Sequence, residues 1–207
     1  MQSIILAGMP DSAIIREAAV LVRRMCNDKI FNHSLRTHYL AVQYATRFGI
    51  ATDREQLALA CLFHDTGLMP DRYTADRSFT FNSSRALREF LSERAHPPQK
   101  IRGAMEAIDW HFVILPRWDL GETAGLLQVG AWMDVTGLRS WSMFREYRRS
   151  RQLFENGGFF SYFNACVLRQ VMSPKRAIGL LAPARSIPPG HYDSSATDRD
   201  PDRFDGE

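Results

Sequence analysis

"TDREQLALACLFHDTGL", residues 52–68, decides how the chain is read. Thr52 and Glu55 match the T-x-x-E pattern that opens a helix, and Gly67 follows the last apolar turn, so a helix is expected between them. Leu57, Ala60, Cys61 and His64 recur at i, i+3, i+4 and i+7, which places His64 on the apolar stripe instead of in water. Asp65 lies about 100° further round the axis by the 3.6-residue period. An unpaired buried charge costs several kcal/mol or shifts its pKa until it is neutral, so both groups need partners. A divalent cation would satisfy both. A buried His–Asp hydrogen bond without a metal is the alternative.

Outward from this segment, apolar residues keep helical spacing almost throughout, and no Asn-Gly or Asp-Gly turn separates two strand-like runs. The fold class is therefore all-α. A first helix is expected from the cap Asp11 or Ser12 to about Met25, and a second from the cap Asn32 to Gly49. Residues 69–82, "MPDRYTADRSFTFN", lack helical period and follow the His–Asp pair, so they read either as a loop covering a site or as a plain connector. Ser83 or Ser84 then caps a helix, Pro97-Pro98 opens another, and "LLQVGAWMDVTGL" is again apolar with one acidic residue inside. Two further helices are expected at about Ser142 to Glu155 and Phe159 to Val171. Residues 184–207 are polar and rich in Pro, Asp and Ser, which predicts a disordered tail behind a single domain at 1–183.

Asp134 has Leu127, Gly130 and Ala131 at i−7, i−4 and i−3, so its carboxylate also emerges on a small, apolar face. His33 stands in a segment with core-like neighbours, with Arg36 and Thr37 on its own face. Three expected helices thus each present a nitrogen or carboxylate group on a buried face. Two imidazoles and two carboxylates make a mixed N/O set suited to one divalent ion, Zn²⁺ in the first place, with Fe²⁺, Mn²⁺ and Co²⁺ as alternatives. His38, about 140° round the helix from His33, cannot face the same ion.

Composition bounds the partners. With 207 residues the chain can bury a full core, and three well-separated cysteines suggest neither a disulfide framework nor a thiolate zinc site. The first ten residues lack a basic flank and a long apolar run, so a soluble cytoplasmic protein without a membrane span is expected. The net charge of +3 is modest, and "FREYRRSRQ" reads as a solvated helix face, not a nucleic-acid track. Oligomeric state is not legible.

"NHSLR" at 32–36, "HDTGL" at 64–68 and "MDVTG" at 133–137, in this order, resemble the H…HD…D pattern of the HD-domain superfamily of metal-dependent hydrolases. The "FNHSLR" form resembles its cyanamide hydratase-like branch. The resemblance implies an all-α bundle and the metal ligands His33, His64, Asp65 and Asp134. It also implies a metal-activated water that adds to a nitrile-like carbon or, in other branches, cleaves a phosphate ester. Asp65 would serve catalysis as well as the metal. His111 is a candidate proton donor or substrate contact, or else a helix-end histidine bonded to backbone. Arg36 could meet an anionic substrate or pair with a ligand carboxylate. Thr66 could orient the water or cap the helix end. The segment "RSFTFNSS" departs from that branch, with Thr80 after Phe79 where a Phe-Glu pair is expected.

Three functions follow. The first is a hydratase or hydrolase of a small, mostly uncharged molecule with a C–N multiple bond or amide-like group, with Phe63, Phe79, Phe81, Trp110 and Trp118 as candidate pocket walls or plain core. The second is a phosphohydrolase of a nucleotide or other phosphomonoester, for which Arg36, Arg72 and Arg77 are the available cations. The third is a binding domain that keeps the metal site as a relic.

Overall fold

The computed structural model of the chain describes residues 2–193, and these form helices and short 3-10 turns with no strand. In chain order the helices are α1 (Gln2–Leu6), α2 (Ala13–Met25), α3 (Asp28–Phe48), α4 (Arg54–Phe63), α5 (Phe79–Ser92), α6 (Pro98–Trp110), α7 (Glu122–Thr136), α8 (Phe144–Leu153), α9 (Phe159–Val171) and α10 (Pro174–Leu181). The all-α expectation holds. No helix among the described residues is long and apolar enough to cross a membrane.

Two helices are enclosed on every side and organise the rest. In α4 every residue from Leu57 to Phe63 is buried, and in α7 so is every residue from Thr123 to Ala131. A helix apolar all round must sit inside, and α2, α3, α5 and α6 pack about this pair. Where α3 meets α7 the backbones approach closely: a Cβ at Gly130 would stand 2.4 Å from the Thr37 carbonyl oxygen. Gly67, just after α4, is held by the same constraint, because its Cβ would lie 2.2 Å from the Phe79 carbonyl oxygen of α5. The three cysteines are free and buried.

The starts of α2, α6 and α9 fall where expected, and those of α3, α4 and α5 differ for a common reason. α3 begins at Asp28 because Asn27 accepts the Ile30 N–H at 3.1 Å, which leaves Asn32 inside the helix. α4 is capped by Asp53, whose Oδ1 accepts the N–H groups of Glu55 and Gln56, and the Glu55 carboxylate instead takes the Ser12 hydroxyl at 2.5 Å. α5 is capped by Ser78, so Ser83 and Ser84 are interior: Ser83 accepts the Gly67 N–H and Ser84 donates to Asp109. Where several capping residues lie within a turn or two, tertiary partners choose among them. α1 and α10 are additions to the expected set.

The boundary at 184 also moves. Pro183–Arg185 forms a 3-10 turn, and His191 is buried, stacked on Phe81 at 4.4 Å with Nε2 at 3.0 Å from Asp109. Residues 184–193 are thus packed onto α5 and α6, while the remainder of the expected tail, 194–207, lies outside the described residues.

His38 secures α1: its Nδ1–H donates to the Ala7 carbonyl at 2.9 Å, and burial pushes its pKa down to about 4. The unfolded chain takes up this proton near pH 6.5 and the folded chain does not. Stability should therefore decline as the pH falls from about 6.5 toward 4. His38→Asn, which keeps a donor near Nδ1 without titrating, should flatten that part of a stability–pH profile measured by urea unfolding. Gly130→Ala should lower unfolding stability by about 1–3 kcal/mol through overpacking of α3 on α7; an unchanged denaturation midpoint would refute the close-approach account.

Candidate metal centre

Four side chains from three elements converge at the inner end of α4. His33 lies in the second turn of α3, not at the helix start, because α3 begins earlier than expected. His64 terminates α4 and Asp65 follows in a bridge conformation, φ −115° and ψ 8°, as the chain turns into a 3-10 segment at Thr66–Leu68. His111 ends α6. All four are buried. The ligand atoms of His33, His64 and Asp65 lie within 4.8 Å of one another.

Backbone and carboxylate acceptors hold each imidazole by the same atom. Nδ1–H of His33 donates to Asp134 Oδ2 at 2.6 Å, that of His64 to the Cys61 carbonyl at 2.9 Å, and that of His111 to the Ile108 carbonyl at 2.6 Å. With Nδ1 committed as donor, all three Nε2 atoms face inward. Two of them, on His33 and His64, stand 3.1 Å apart. Nε2 of His33 is 3.3 Å from Asp65 Oδ2, and Nε2 of His111 is 3.4 Å from Asp65 Oδ1. Neither Asp65 oxygen has a partner that meets hydrogen-bond geometry, although both are fully buried.

The charge states follow. Burial pushes His64 down to about 3, so it is neutral near pH 7. Burial opposes the charge on Asp65 too, but His64, His111 and His33 around it hold its carboxyl well below the usual range. Burial disfavours a proton on His33, yet the bond to Asp134 and the nearby Asp65 carboxylate outweigh that and raise its pKa. A divalent cation could be held here by the Nε2 lone pairs of His33 and His64 and by the Asp65 carboxylate, whose oxygens are otherwise unpartnered, so the residues fit it.

Asp134 stands on the other side of His33. Its Oδ2 accepts from His33, Oδ1 and Oδ2 both accept from Arg36 Nε at 2.8 and 3.0 Å, and Oδ1 accepts from Arg151 Nη1 at 3.0 Å. Here the carboxylate orients an imidazole and is not one of the converging ligand atoms. Burial opposes its charge, but the His33 bond and the Arg36 guanidinium keep it ionised. Arg36 itself is fully buried, with Nη1 on the Glu155 carbonyl at 2.6 Å and its guanidinium over the Phe159 ring. Of its two expected roles, the structure has the pairing one. Thr66 donates to the Phe63 carbonyl at 2.9 Å and so closes the end of α4.

A cavity of about 180 Å³ opens onto this centre. His33, Asp65 and His111 form its floor, and Phe112, Ala131, Trp132, Val135, Phe163 and Val167 its walls. None of the five aromatic residues expected to line a pocket does so: Phe63 and Phe79 are core, Phe81 packs on His191, Trp110 lies under Arg117, and Trp118 covers Gly125. Residues 69–82, read as a possible cover, contribute nothing to the lining. Arg151 and Phe159 had no sequence signal. The first hides in an arginine-rich run, and the second is one of several phenylalanines, although its ring stacks on His33 at 4.6 Å.

Removing the Asp134 carboxylate leaves a buried guanidinium without its anion. In chelator-treated protein Asp134→Ala should lose about 3–5 kcal/mol of unfolding stability, measured by urea titration. A loss below about 1 kcal/mol would mean that water or the Glu155 carbonyl compensates Arg36.

No curated protein sequence matches the chain significantly. The model of the HD domain family matches residues 30–127, the stretch that runs from the start of α3 into α7 and contains His33, His64, Asp65 and His111. The motifs, the helical fold and the metal-compatible cluster agree with that match, which makes residues 30–127 similar to the HD domain family, whose members are generally metal-dependent hydrolases.

Proposed function

We propose that this chain is a metal-dependent hydratase or hydrolase of a small, uncharged substrate bearing a C–N multiple bond or an amide-like group, with His33, His64 and Asp65 as metal ligands. The observation that carries the reading is the cavity floor: three groups able to bind a cation or move a proton, in a lining that contains no lysine or arginine. A phosphate ester would need such cations, and of the candidates Arg36, Arg72 and Arg77 none lines the cavity. Arg36 is locked on Asp134, and Arg77 donates to the Ser186 carbonyl and lies over Phe81.

A divalent ion held by His33, His64 and Asp65 would supply Lewis acidity and make water at the centre more acidic. Its charge is offset by Asp65 alone among the three ligands, since Asp134 is already balanced by Arg36 and Arg151. Zn²⁺ suits the two imidazoles and single carboxylate best, with Fe²⁺, Mn²⁺ and Co²⁺ close behind. His111 handles the proton. Its Nδ1–H is tied to Ile108, so Nε2 is left as an acceptor facing the cavity. It takes a proton as water oxygen bonds to the substrate carbon and returns that proton to the substrate nitrogen, leaving the side chain unchanged. His33 is held in register by Asp134 and by the Phe159 ring, and His64 by its own helix end.

Purified protein should carry about one divalent ion per chain, and His64→Ala with Asp65→Ala should lose it, as read by elemental analysis. The wild type, loaded in turn with Zn²⁺, Mn²⁺ or Co²⁺, should convert cyanamide, simple nitriles or amides to the hydrated or hydrolysed product. His111→Ala should lower kcat by about 10²–10⁴-fold with the metal retained. Release of inorganic phosphate from a phosphomonoester, with no product from any C–N substrate, would overturn the proposal in favour of a phosphohydrolase.

A further inference from the structure

The cavity is larger than the smallest substrates of this chemistry require, and its polarity is layered. Its floor is polar, formed by His33, Asp65 and His111. Above that, six apolar side chains make up most of the remaining lining. The mouth is polar again, because Thr136 and Asn164 are the exposed members of the lining. We infer that the cavity is a built subsite for a neutral, apolar group about the size of a benzene ring, carried on the reacting carbon of the substrate. Helices α7 and α9 select that group through Trp132, Phe163 and Val167. This rests on the hydratase or hydrolase reading of the same centre.

Size argues first. A water molecule claims about 30 Å³ of liquid, and an apolar cavity of about 150 Å³ accepts benzene. The volume here, ≈ 180 Å³, is of that class. A substrate of three heavy atoms on the floor would leave the six apolar walls facing water, with no contact to gain by binding. A flat ring extending from the floor to the mouth would cover them, and burial of its apolar surface contributes roughly 25 cal/mol per Å².

Rigidity argues second. The indole of Trp132 is fixed by its Nε1–H, which donates to the His111 carbonyl at 3.1 Å, so wall and floor move together. Phe163 packs on Phe159 at 5.5 Å between ring centres, and Phe159 stacks on His33 at 4.6 Å. A wall held by such contacts does not collapse when empty and needs little ordering on binding.

Charge argues third. No lysine or arginine lines the cavity and six of its lining side chains are apolar, so a charged group among them would lose its hydration without gaining a partner. The aromatic group is therefore neutral.

Origin argues last. The polar floor lies inside the segment that the HD domain family model matches, residues 30–127, as does Phe112. Every other wall and mouth residue, from Ala131 to Val167, lies beyond it. The subsite is built by the part of the chain that the domain match does not cover.

The test separates binding from turnover. Benzamide, benzoate and formamide are titrated into chelator-treated wild-type protein, followed by tryptophan fluorescence and by thermal shift. Benzamide should bind saturably and raise the melting temperature, and benzoate and formamide should bind at least tenfold more weakly. Val167→Trp, which fills the cavity, should weaken benzamide at least tenfold, while elemental analysis of the variant still finds about one ion per chain after metal loading. Should that variant fold poorly, Phe163→Ala enlarges the space and should shift preference toward 2-naphthamide. Equal binding of benzamide and benzoate, or benzamide affinity indifferent to both substitutions, would overturn the subsite. Hydration of small nitriles by a protein that ignores benzamide would remove the subsite and leave the proposed reaction standing. Benzamide binding by a protein that releases only phosphate would do the reverse.

Discussion

The bonds made by the Asp134 carboxylate hold the centre together. It accepts from His33 on α3, from Arg36 one turn further along the same helix, and from Arg151 on α8, while Asp134 itself belongs to α7. Three helices meet at one anion. Removing a carboxylate from water is costly, and the cost is offset only when donors surround it with good geometry. Here two guanidinium groups and one imidazole supply them, and Arg151 adds a bond from Nη2 to the Asp134 carbonyl at 2.7 Å. Much of this stability goes into direction. The arrangement fixes which nitrogen of His33 carries a proton and therefore which one faces the cavity.

The same device recurs on the other two imidazoles, with backbone carbonyls in place of a carboxylate. His64 and His111 each close a helix and donate back to a carbonyl three residues earlier, Cys61 and Ile108. Carbonyls at a helix C-terminus lack amide partners, so a histidine there satisfies one of them while turning its second nitrogen outward. The reading of His111 as a helix-end histidine and its reading as a group in the site are thus not rivals. The backbone bond is what aims Nε2 at the cavity.

This explains what was legible and what was not. The all-α class was readable because helical period survives in nearly every segment, and His33, His64, Asp65 and His111 because each stands at a motif or a helix end. Capping positions were less certain: Thr52, Asn32, Ser83 and Ser84 all have the right chemistry, but Asp53, Asn27 and Ser78 hold the better place relative to neighbouring helices. The partners of Asp134 were hidden for another reason. Arg151 sits among arginines of equal appearance, and nothing local distinguishes the one that reaches a buried anion 17 positions away. The pocket walls failed for the same reason in reverse. Phe79 and Trp118 are as aromatic as Phe163 and Trp132, and only the placement of α7 and α9 around the cavity decides which pair faces it.

Floor and wall differ in the constraints on them. A floor residue must satisfy geometry within a fraction of an ångström, because lone pairs, carboxylate oxygens and a proton have to meet, and the two floor imidazoles are braced from behind by Asp134 and the Ile108 carbonyl. A wall residue must only be apolar and about the right size, and such positions tolerate volume-conserving exchange at modest cost. Phe163 and Val167 lie on a helix that touches the centre mainly through one ring, Phe159 on His33, so the shape of the cavity can change on α9 without moving His64, Asp65 or His111. In the proposed function, chemistry is carried by the ends of α4 and α6 and by the second turn of α3, and the choice of what it acts on is left to helices that meet them from outside.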